Sequence, residues 1–395
     1  MPRITLSDEY IDIQADYQGS TKRLFRIKVV TRFKSQFGWI EIGQLGGFVE
    51  SLKNINTYTN CWIADDAKVY DNAYINGNAF ISGEAHINGK AHIFGNAHIN
   101  DKAHINGSAE VSEDAHVFGT SHVTGEANIS GRASIEGYVQ DNALINGDAK
   151  ILSGARVGGH AHVFGKATIK GNAQVSGHAR IRDEAVIKAL ADISNHARIS
   201  GKAIVGSKLT VVSGNAEISG NAQVLECTVK GNARIYGNAI IDGNYCHYEN
   251  VIICDEAQIY GNAVIKNKAY LGGHAQIYGN AQTFSSCCIT GNAQLFGDAI
   301  CGRDMFEHTD TTIIQKYYDA GIFISGNARV FGNAKLFDGV YVYGNAQIYG
   351  NAEVSNRAKI FASAQVFDDA KVSGKVEIRG REKIGGSTII SNCQY

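Results

Sequence analysis

The sequence contains almost no proline, since its one proline among 395 residues is Pro2. Proline cannot donate a backbone hydrogen bond, so its absence favours strands that each donate to a neighbour. Charge of one sign is also lacking, because 37 lysines and arginines stand against 38 aspartates and glutamates, a net charge of −1. Without a basic excess, we expect no binding to nucleic acid.

Long hydrophobic runs are missing as well. No stretch of about 18 apolar residues occurs, the length that a membrane-spanning helix needs. The first residues, Met1 to Thr5, carry no hydrophobic signal segment. We therefore expect no membrane association and a cytoplasmic location.

The sequence instead carries a six-residue repeat, Ala-x-Ile-x-Gly-x. The repeat runs in phase through four blocks, residues 61–133, 143–209, 233–299 and 322–388. A short internal period of this kind indicates a solenoid built from nearly identical rungs. The chain is therefore predicted to be all-β and to have one continuous core.

The hexad also predicts which side chains are buried. In an extended segment Ala and Ile, two residues apart, point to one side, while the Gly-Asn and Gly-Asp pairs that follow allow a corner. Four cysteines occupy these inward slots, so we expect them to be small buried hydrophobic residues rather than a disulfide framework: Cys61, Cys227, Cys287 and Cys301.

The repeat divides the chain into regions. Residues 1–58 lack it and alternate apolar with polar residues, which predicts a small N-terminal β cap with a turn at Gly46-Gly47. Residues 59–390 form the predicted solenoid, and residues 391–395 a C-terminal tail. Irregular loops are predicted at 242–250 and 302–321.

The Ala-x-Ile-x-Gly-x hexad resembles the hexapeptide repeat of left-handed parallel β-helices. That resemblance implies triangular coils of three hexads, and hence roughly 18 coils for this chain. The cap and its junction, Leu45-Gly46-Gly47-Phe48-Val49-Glu50 and Asn60-Cys61-Trp62-Ile63, resemble the YdcK-like hexapeptide-repeat proteins of enterobacteria and prophages. That family is labelled a transferase by fold alone, and a phage-associated location is the alternative it implies.

Histidine fills the outward slot of many early hexads. With an 18-residue coil, His86, His104 and His122 are expected to stack on one face, and His98 over His116 on another. Imidazoles one rung apart could share a transition metal or act as a pH sensor. The alternative is a set of polar outward residues in a duplicated motif.

Aromatic residues take over the slot after Ile in the C-terminal half. The 18-residue spacing predicts three columns, which are Tyr260, Tyr278 and Phe296; Phe331, Tyr349 and Phe367; and Tyr343 with Phe361. Such columns are typical of an interface for self-association, and stacking between rungs is the alternative purpose.

We therefore expect a non-enzymatic structural or interaction protein, a rigid β-helical rod that self-associates through these aromatic columns and needs no cofactor. The resemblance also supplies an alternative, acyl transfer from acyl-CoA to a small amino or hydroxyl acceptor with His247 or His308 as the base. Hexapeptide acyltransferases usually work as trimers, so the resemblance implies a trimer as well. A rod that binds glycans through its tyrosines is a third hypothesis, and a protein partner is also compatible with these surfaces.

Overall fold

The computed structural model describes residues 1–14, 20–243, 251–284, 286–302 and 321–392. The described residues form a parallel β-solenoid of about 18 coils with a small N-terminal sheet. The one short helix among them is a 3-10 turn, Leu52–Asn54, whose first residues are capped by the Ser51 side chain. The all-β prediction is confirmed. The left-handed sense of the coil stays a prediction from the family resemblance.

The chain divides into two compact units, Met1–Lys188 and Ala189–Tyr395, which we call the N-terminal and the C-terminal unit. Each unit contains three parallel sheets, and strands 18 residues apart pair in each regular coil. His86, for example, pairs with His104. Three sheets and an 18-residue period confirm a coil made of three hexads.

The cap extends one sheet of the N-terminal unit. Its strands are β1 (Ile4–Gln14), β2 (Thr21–Val29), β3 (Phe33–Ser35), β4 (Gly38–Ile40) and β5 (Leu45–Val49). The β1–β2 and β2–β5 pairs are antiparallel, β5 pairs in parallel with the first solenoid strand of its sheet, and β3 and β4 form a separate hairpin.

The predicted turn at Gly46-Gly47 is wrong, because both glycines lie inside β5. A Cβ atom on Gly46 would lie 2.4 Å from the carbonyl oxygen of Ile63, and one on Gly47 would lie 2.6 Å from that of Ala67. These glycines therefore allow the backbone of the cap to pack closely on the first rungs. Close approach of another backbone is a known reason for glycine inside a strand.

The three sheets of the N-terminal unit are N1, N2 and N3. Beyond β1, β2 and β5, the strands of N1 are Lys68–Val69, His86–Ile87, His104–Ile105, His122–Val123, Tyr138–Val139, Arg156–Val157 and Gln174–Val175. Those of N2 are Tyr74–Ile75, His92–Ile93, Glu110–Val111, Asn128–Ile129, Leu144–Ile145, His162–Val163 and Arg180–Ile181. Those of N3 are Trp62–Ile63, Phe80–Ile81, His98–Ile99, His116–Val117, Ser134–Ile135, Lys150–Ile151, Thr168–Ile169 and Val186–Ile187.

The three sheets of the C-terminal unit are C1, C2 and C3. C1 consists of Asp192–Ile193, Val211–Val212, Cys227–Val229, Val251–Ile253, Ala269–Leu271, Cys287–Ile289, Ile322–Ile324, Tyr341–Val342, Lys359–Ile360 and Glu377–Ile378. C2 consists of Arg198–Ile199, Glu217–Ile218, Arg234–Ile235, Gln258–Ile259, Gln276–Ile277, Gln294–Leu295, Arg329–Val330, Gln347–Ile348, Gln365–Val366 and Lys383–Ile384. C3 consists of Ile204–Val205, Gln223–Leu225, Ile240–Asp242, Val264–Lys266, Gln282–Phe284, Ile300–Cys301, Lys335–Leu336, Glu353–Ser355, Lys371–Gly374 and Ile389–Asn392.

The core of each unit is the inside of its coils. The inward Ala and Ile slots are buried almost throughout, as predicted, and the four inward cysteines are at most 2% exposed. At the last described coil, Glu382 and Thr388 occupy Ala slots and are exposed. Polar residues at a terminal coil are the usual way in which a repeat array ends its apolar core.

The corners of the coils have their own ladders. Gly279 has φ +74°, and a Cβ atom there would lie 3.0 Å from the backbone nitrogen of Gly297 in the next coil. The following position carries amides that donate from coil to coil, from Asn238 to Asn262, from Asn262 to Asn280, and from Asn280 to Asp298, over 2.8–3.0 Å. The predicted role of the Gly-Asn pairs at corners is confirmed, and the ladder ties neighbouring corners together.

Candidate functional site

The two histidines predicted as catalytic bases, His247 and His308, lie outside the described residues. The predicted loops at 242–250 and 302–321 lie almost entirely outside them too. The surfaces that the structure does place are two sets of outward side chains, the histidines of the N-terminal unit and the aromatic residues of the C-terminal unit.

His86, His104 and His122 form the predicted column on sheet N1. Their strands pair in register, and their ring centroids are 6.1 and 5.6 Å apart with interplanar angles of 82° and 72°. The column continues into Tyr138, whose ring stacks on His122 at 5.3 Å. The rings therefore contact one another mostly edge to face.

Burial favours the neutral form of two imidazoles in this column, His86 and His104. It lowers the pKa of His86 to about 4, and the neighbouring Lys68 ammonium and His104 lower it further. Burial, and then His122, also lowers the pKa of His104. The Nε2 atom of His104 is buried without a hydrogen-bond partner. A proton on His86 or His104 is unfavourable because the charge would be partly removed from water and close to a second imidazole.

His98 and His116 stack on sheet N3, also as predicted. Their rings are parallel within 2°, with centroids 4.7 Å apart, and His116 Nε2 lies 2.7 Å from Asn100 Oδ1. Burial lowers the pKa of both imidazoles. Among the residues that the structure describes, no group of three or more His, Cys, Asp or Glu side chains is placed to hold a metal ion. The histidine columns are stacks of rings in this structure.

Sheet C2 carries one long aromatic column. Neighbouring rings along it have centroids 4.8–5.3 Å apart and planes within 10° of parallel, and its members in order are Tyr236, Tyr260, Tyr278, Phe296, Phe331, Tyr349 and Phe367. We call this set the C2 column.

The 18-residue spacing predicts two separate columns here, and that division is wrong. Strand Gln294–Leu295 pairs directly with Arg329–Val330, so Phe296 and Phe331 are neighbours although 35 residues separate them. The 18-residue spacing fails here because the paired positions Gln294 and Arg329 are 35 residues apart instead of 18. Tyr236, which the 18-residue spacing does not assign to a column, begins it, because strand Arg234–Ile235 pairs directly with Gln258–Ile259.

The geometry of the C2 column hides the faces of its rings. Each internal ring has a ring stacked on both of its faces, and at the C-terminal end a Cβ atom on Gly385 would lie 2.3 Å from Phe367 Cζ. All the members after Tyr236 are only partly exposed. The Arg329 guanidinium lies 5.1 Å from the Phe296 ring centroid and 5.5 Å from that of Phe331. The stack is therefore largely satisfied within the chain.

A second and more exposed aromatic set lies on sheet C1. Phe323 stacks on Tyr341 at 5.0 Å, and in the adjacent outward row Tyr343 stacks on Phe361 at 4.9 Å. Phe323, Tyr341 and Tyr343 are 40%, 39% and 38% exposed. We call these four residues the C1 patch.

The sequence predicted only half of the C1 patch. The Tyr343–Phe361 column is confirmed, whereas Phe323 and Tyr341 were missed. A signal for them is present in the sequence, because they are 18 residues apart in the slot between Ala and Ile, the slot that holds histidine in the first block.

Charged groups border the C1 patch. Tyr341 pairs with Lys359, which pairs with Glu377, and Lys359 Nζ lies 2.9 Å from Glu377 Oε1. The hydrogen bond to that carboxylate raises the pKa of Lys359. A shallow cavity of about 480 Å³ lies here, and Arg357 and Lys375 also line it. The patch is thus an apolar surface with charges of both signs at its rim.

The fold and these surfaces define the class of this protein: it is a parallel β-solenoid repeat protein whose outward rows change from histidine to aromatic residues. Comparison with the models of known protein families gives no match, and comparison with curated proteins gives none either. Over the part of the chain that the structure describes, no helix is long and apolar enough to cross a membrane.

Proposed function

We propose that this chain is a non-enzymatic structural or interaction protein that self-associates through the C1 patch. The observation that carries the proposal is the exposure of three stacked aromatic side chains, Phe323, Tyr341 and Tyr343, each 38–40% exposed on one sheet face. Large aromatic residues grouped on a flat surface are typical of protein interfaces.

The occupant that we propose for the C1 patch is a second copy of the same chain. A two-fold interface brings the same surface together twice, so it must be complementary to itself. The rim meets that requirement, because the Lys359 ammonium and the Glu377 carboxylate lie on the same sheet next to Tyr341. Two patches related by a two-fold axis can join ring to ring while each lysine meets a carboxylate of the other copy.

The C2 column has a different proposed role, which is to stabilise the coils that carry the patch. Its ring faces are covered by their neighbours in the same chain, so a partner would reach mainly ring edges. Stacks of this kind contribute roughly 0.5–1.5 kcal/mol per pair beyond the area that they bury. We therefore assign association to the C1 patch and stability to the C2 column.

The test is the molar mass of the purified protein in solution, measured by sedimentation and light scattering over a wide concentration range. We expect the wild-type chain to associate, and the double variant Phe323→Ser with Tyr341→Ser to be monomeric. Serine occurs in outward rows of this solenoid, as at Ser134 on sheet N3, so the variant should keep its fold, which circular dichroism checks.

The matched control is Tyr58→Ser in the N-terminal unit, whose side chain is 66% exposed and lies far along the sequence from the patch. This control should associate like the wild type. A wild-type chain that stays monomeric at every concentration, or a double variant that associates unchanged, would show that the C1 patch is not the interface.

The other hypotheses stay predictions with separate tests. Acyl transfer is tested by calorimetry of acetyl-CoA binding to the wild type and to His247→Ala and His308→Ala. Glycan binding is tested by a glycan screen on the Tyr341→Ser variant beside the wild type. Three further expectations come from resemblance and composition. They are membership of the YdcK-like family, the trimeric state of hexapeptide acyltransferases, and a cytoplasmic or phage-associated location.

A further inference from the structure

Two buried thiols meet inside the C-terminal unit. Cys287 lies in an Ala slot on sheet C1 and Cys301 in an Ile slot on sheet C3, and they are 2% and 0% exposed. Their Sγ atoms are 2.9 Å apart. Both side chains thus point into the core of the solenoid from different sheets and touch there.

This contact differs from those of the other inward cysteines. Cys61 Sγ lies 3.3 Å from Thr59 Oγ1, and burial raises the pKa of the Cys227 thiol in an apolar slot. Only a movement of about 1 Å separates the Cys287 and Cys301 sulfur atoms from the length of a disulfide bond, roughly 2.05 Å. The two sulfur atoms therefore already face each other at a distance that a small movement of the side chains shortens to a bond.

We propose that Cys287 and Cys301 form an intramolecular disulfide when the chain meets a small-molecule disulfide such as oxidised glutathione. One cysteine loses its proton and attacks a glutathione sulfur atom, which forms a mixed disulfide and releases one glutathione thiolate. The second cysteine loses its proton and attacks the protein sulfur of that mixed disulfide, which releases the other glutathione. The two cysteines are oxidised, glutathione disulfide is reduced to two thiols, and the two protons end on those thiols.

Burial controls how readily the reaction occurs. It raises the pKa of Cys301 well above its ordinary value, and the neighbouring Cys287 thiol raises it further. Since the thiolate is the attacking species, oxidation of the closed coil is slow at neutral pH and becomes faster at higher pH or when the coil opens. Once formed, the bond is protected by the same burial.

The disulfide would close most of one coil, since the two cysteines are 14 residues apart. The chain between the two cysteines passes from C1 through strand Gln294–Leu295 of C2 to strand Ile300–Cys301 of C3. Closing a ring of this length restricts the unfolded chain and should raise the melting temperature by an amount on the order of 5 °C. The ring ends directly before residues 303–320, where the regular hexad is interrupted.

The experiment is peptide mapping of the full-length protein after incubation with oxidised glutathione at pH 8.5. Trypsin should release residues 269–303 as one peptide with three cysteines, Cys287, Cys288 and Cys301, because no lysine or arginine lies between 269 and 302. We expect alkylation in denaturant without a reductant to label only Cys288, and cleavage before Asp298 to give two fragments joined until a thiol reductant is added.

The proposal is overturned if all three cysteines of this peptide are alkylated, or if Cys288 is the residue that is cross-linked. Cys287→Ala restores the residue typical of its slot, so the variant should fold, leave Cys301 open to alkylation and lose the melting-temperature increase. Cys227→Ala is the matched control, since it makes the same change in another buried Ala slot and should keep both the cross-link and the increase.

Discussion

The histidine column of sheet N1 and the C2 column are built on the same hexad and behave differently. Both project from rungs whose inward Ala and Ile side chains are buried. The histidine rings meet edge to face at 5.6–6.1 Å, whereas the tyrosine and phenylalanine rings of the C2 column are parallel at 4.8–5.3 Å. The inward slots therefore determine the fold, and the outward rows are free to differ.

The difference in ring type has a chemical consequence. An imidazole can gain a proton within the physiological range, while a phenol or phenyl ring cannot. We therefore expect the histidine column to make the N-terminal unit sensitive to acid, whereas acid should not remove the ring stacking of the C2 column. The following experiments separate what the two units share from what distinguishes them.

The largest loss of stability should come from changes in the inward slots, which the two units share. Ile93 on N2 and Ile277 on C2 occupy the same inward slot and are 0% and 1% exposed. We expect Ile93→Ala and Ile277→Ala each to lower the free energy of unfolding by about 2–5 kcal/mol, through lost burial and the cavity that remains. Urea denaturation followed by circular dichroism measures both, and a loss at only one site would mean that the two cores are not equivalent.

A smaller effect should come from interrupting the C2 column. Tyr278→Ser removes the stacks on Tyr260 and on Phe296, so we expect a loss of about 1–3 kcal/mol in the same assay. The control is Tyr236→Ser at the end of the column, which removes only the stack on Tyr260 and should cost about half as much.

Equal losses at Tyr278 and Tyr236 would argue that the C2 column stabilises the fold through burial of single rings and not through their stacking.

The oligomeric state separates this column from the proposed interface. Tyr278→Ser should associate like the wild type, because Tyr278 is not part of the C1 patch. A monomeric Tyr278→Ser variant with an intact fold would move the interface to sheet C2.

Sequence alone predicted the parts of this structure that depend on local spacing. The hexad encodes which side chains are inward, and so the burial of Ile93, the stacking of His86 on His104 and the glycine corners all follow from a six-residue or 18-residue count. The cap was predicted as β structure for the same reason, since alternation is a local signal.

The parts that sequence did not predict depend on contacts between distant residues. The Gly46-Gly47 pair predicts a turn when it is considered alone, since the close approach of these glycines to Ile63 and Ala67 is visible only in three dimensions. The continuity from Phe296 to Phe331 depends on which strands pair across the irregular spacing, and a count of residues does not give that pairing. The meeting of Cys287 with Cys301 across two sheets is a third case of this kind.

Acid should affect the two units differently. Because burial lowers the pKa of His86 to about 4, its neutral form is favoured in the folded chain relative to the unfolded chain, where the value is 6.5. The free energy of unfolding therefore keeps its full value with respect to His86 above pH 6.5, and it decreases as the pH falls from 6.5 through about 4. We expect the wild type to lose stability over this window, with a contribution from His86 on the order of 1 kcal/mol after screening by solvent.

Carboxylates also titrate in that window, so the measurement is a comparison of pH profiles. The double variant His86→Gln with His104→Gln should lose less stability between pH 7 and pH 4 than the wild type does. A direct reading comes from the NMR titration of the imidazole Hε1 protons, in which His86 should titrate well below pH 6. Parallel profiles for the two proteins would contradict a role for this column in acid sensitivity.

The smallest effect concerns a contact found in both units, a guanidinium over an aromatic ring. Arg156 lies 5.0 Å from the Tyr138 ring on N1, and Arg329 lies 5.1 Å from the Phe296 ring on C2. Exposed contacts of this type are worth about 0.5–1 kcal/mol, so Arg156→Gln should cost about that much. Arg329→Gln should cost less, because Gln294 and Gln347 lie on either side of position 329 in the same row. Glutamines in this row form hydrogen bonds to one another, as Gln294 Nε2 does to Gln276 Oε1 at 3.2 Å. Urea denaturation at low and high salt measures the stability of both variants. A larger loss for Arg329→Gln than for Arg156→Gln would show that the guanidinium, and not the row of glutamines, stabilises this part of sheet C2.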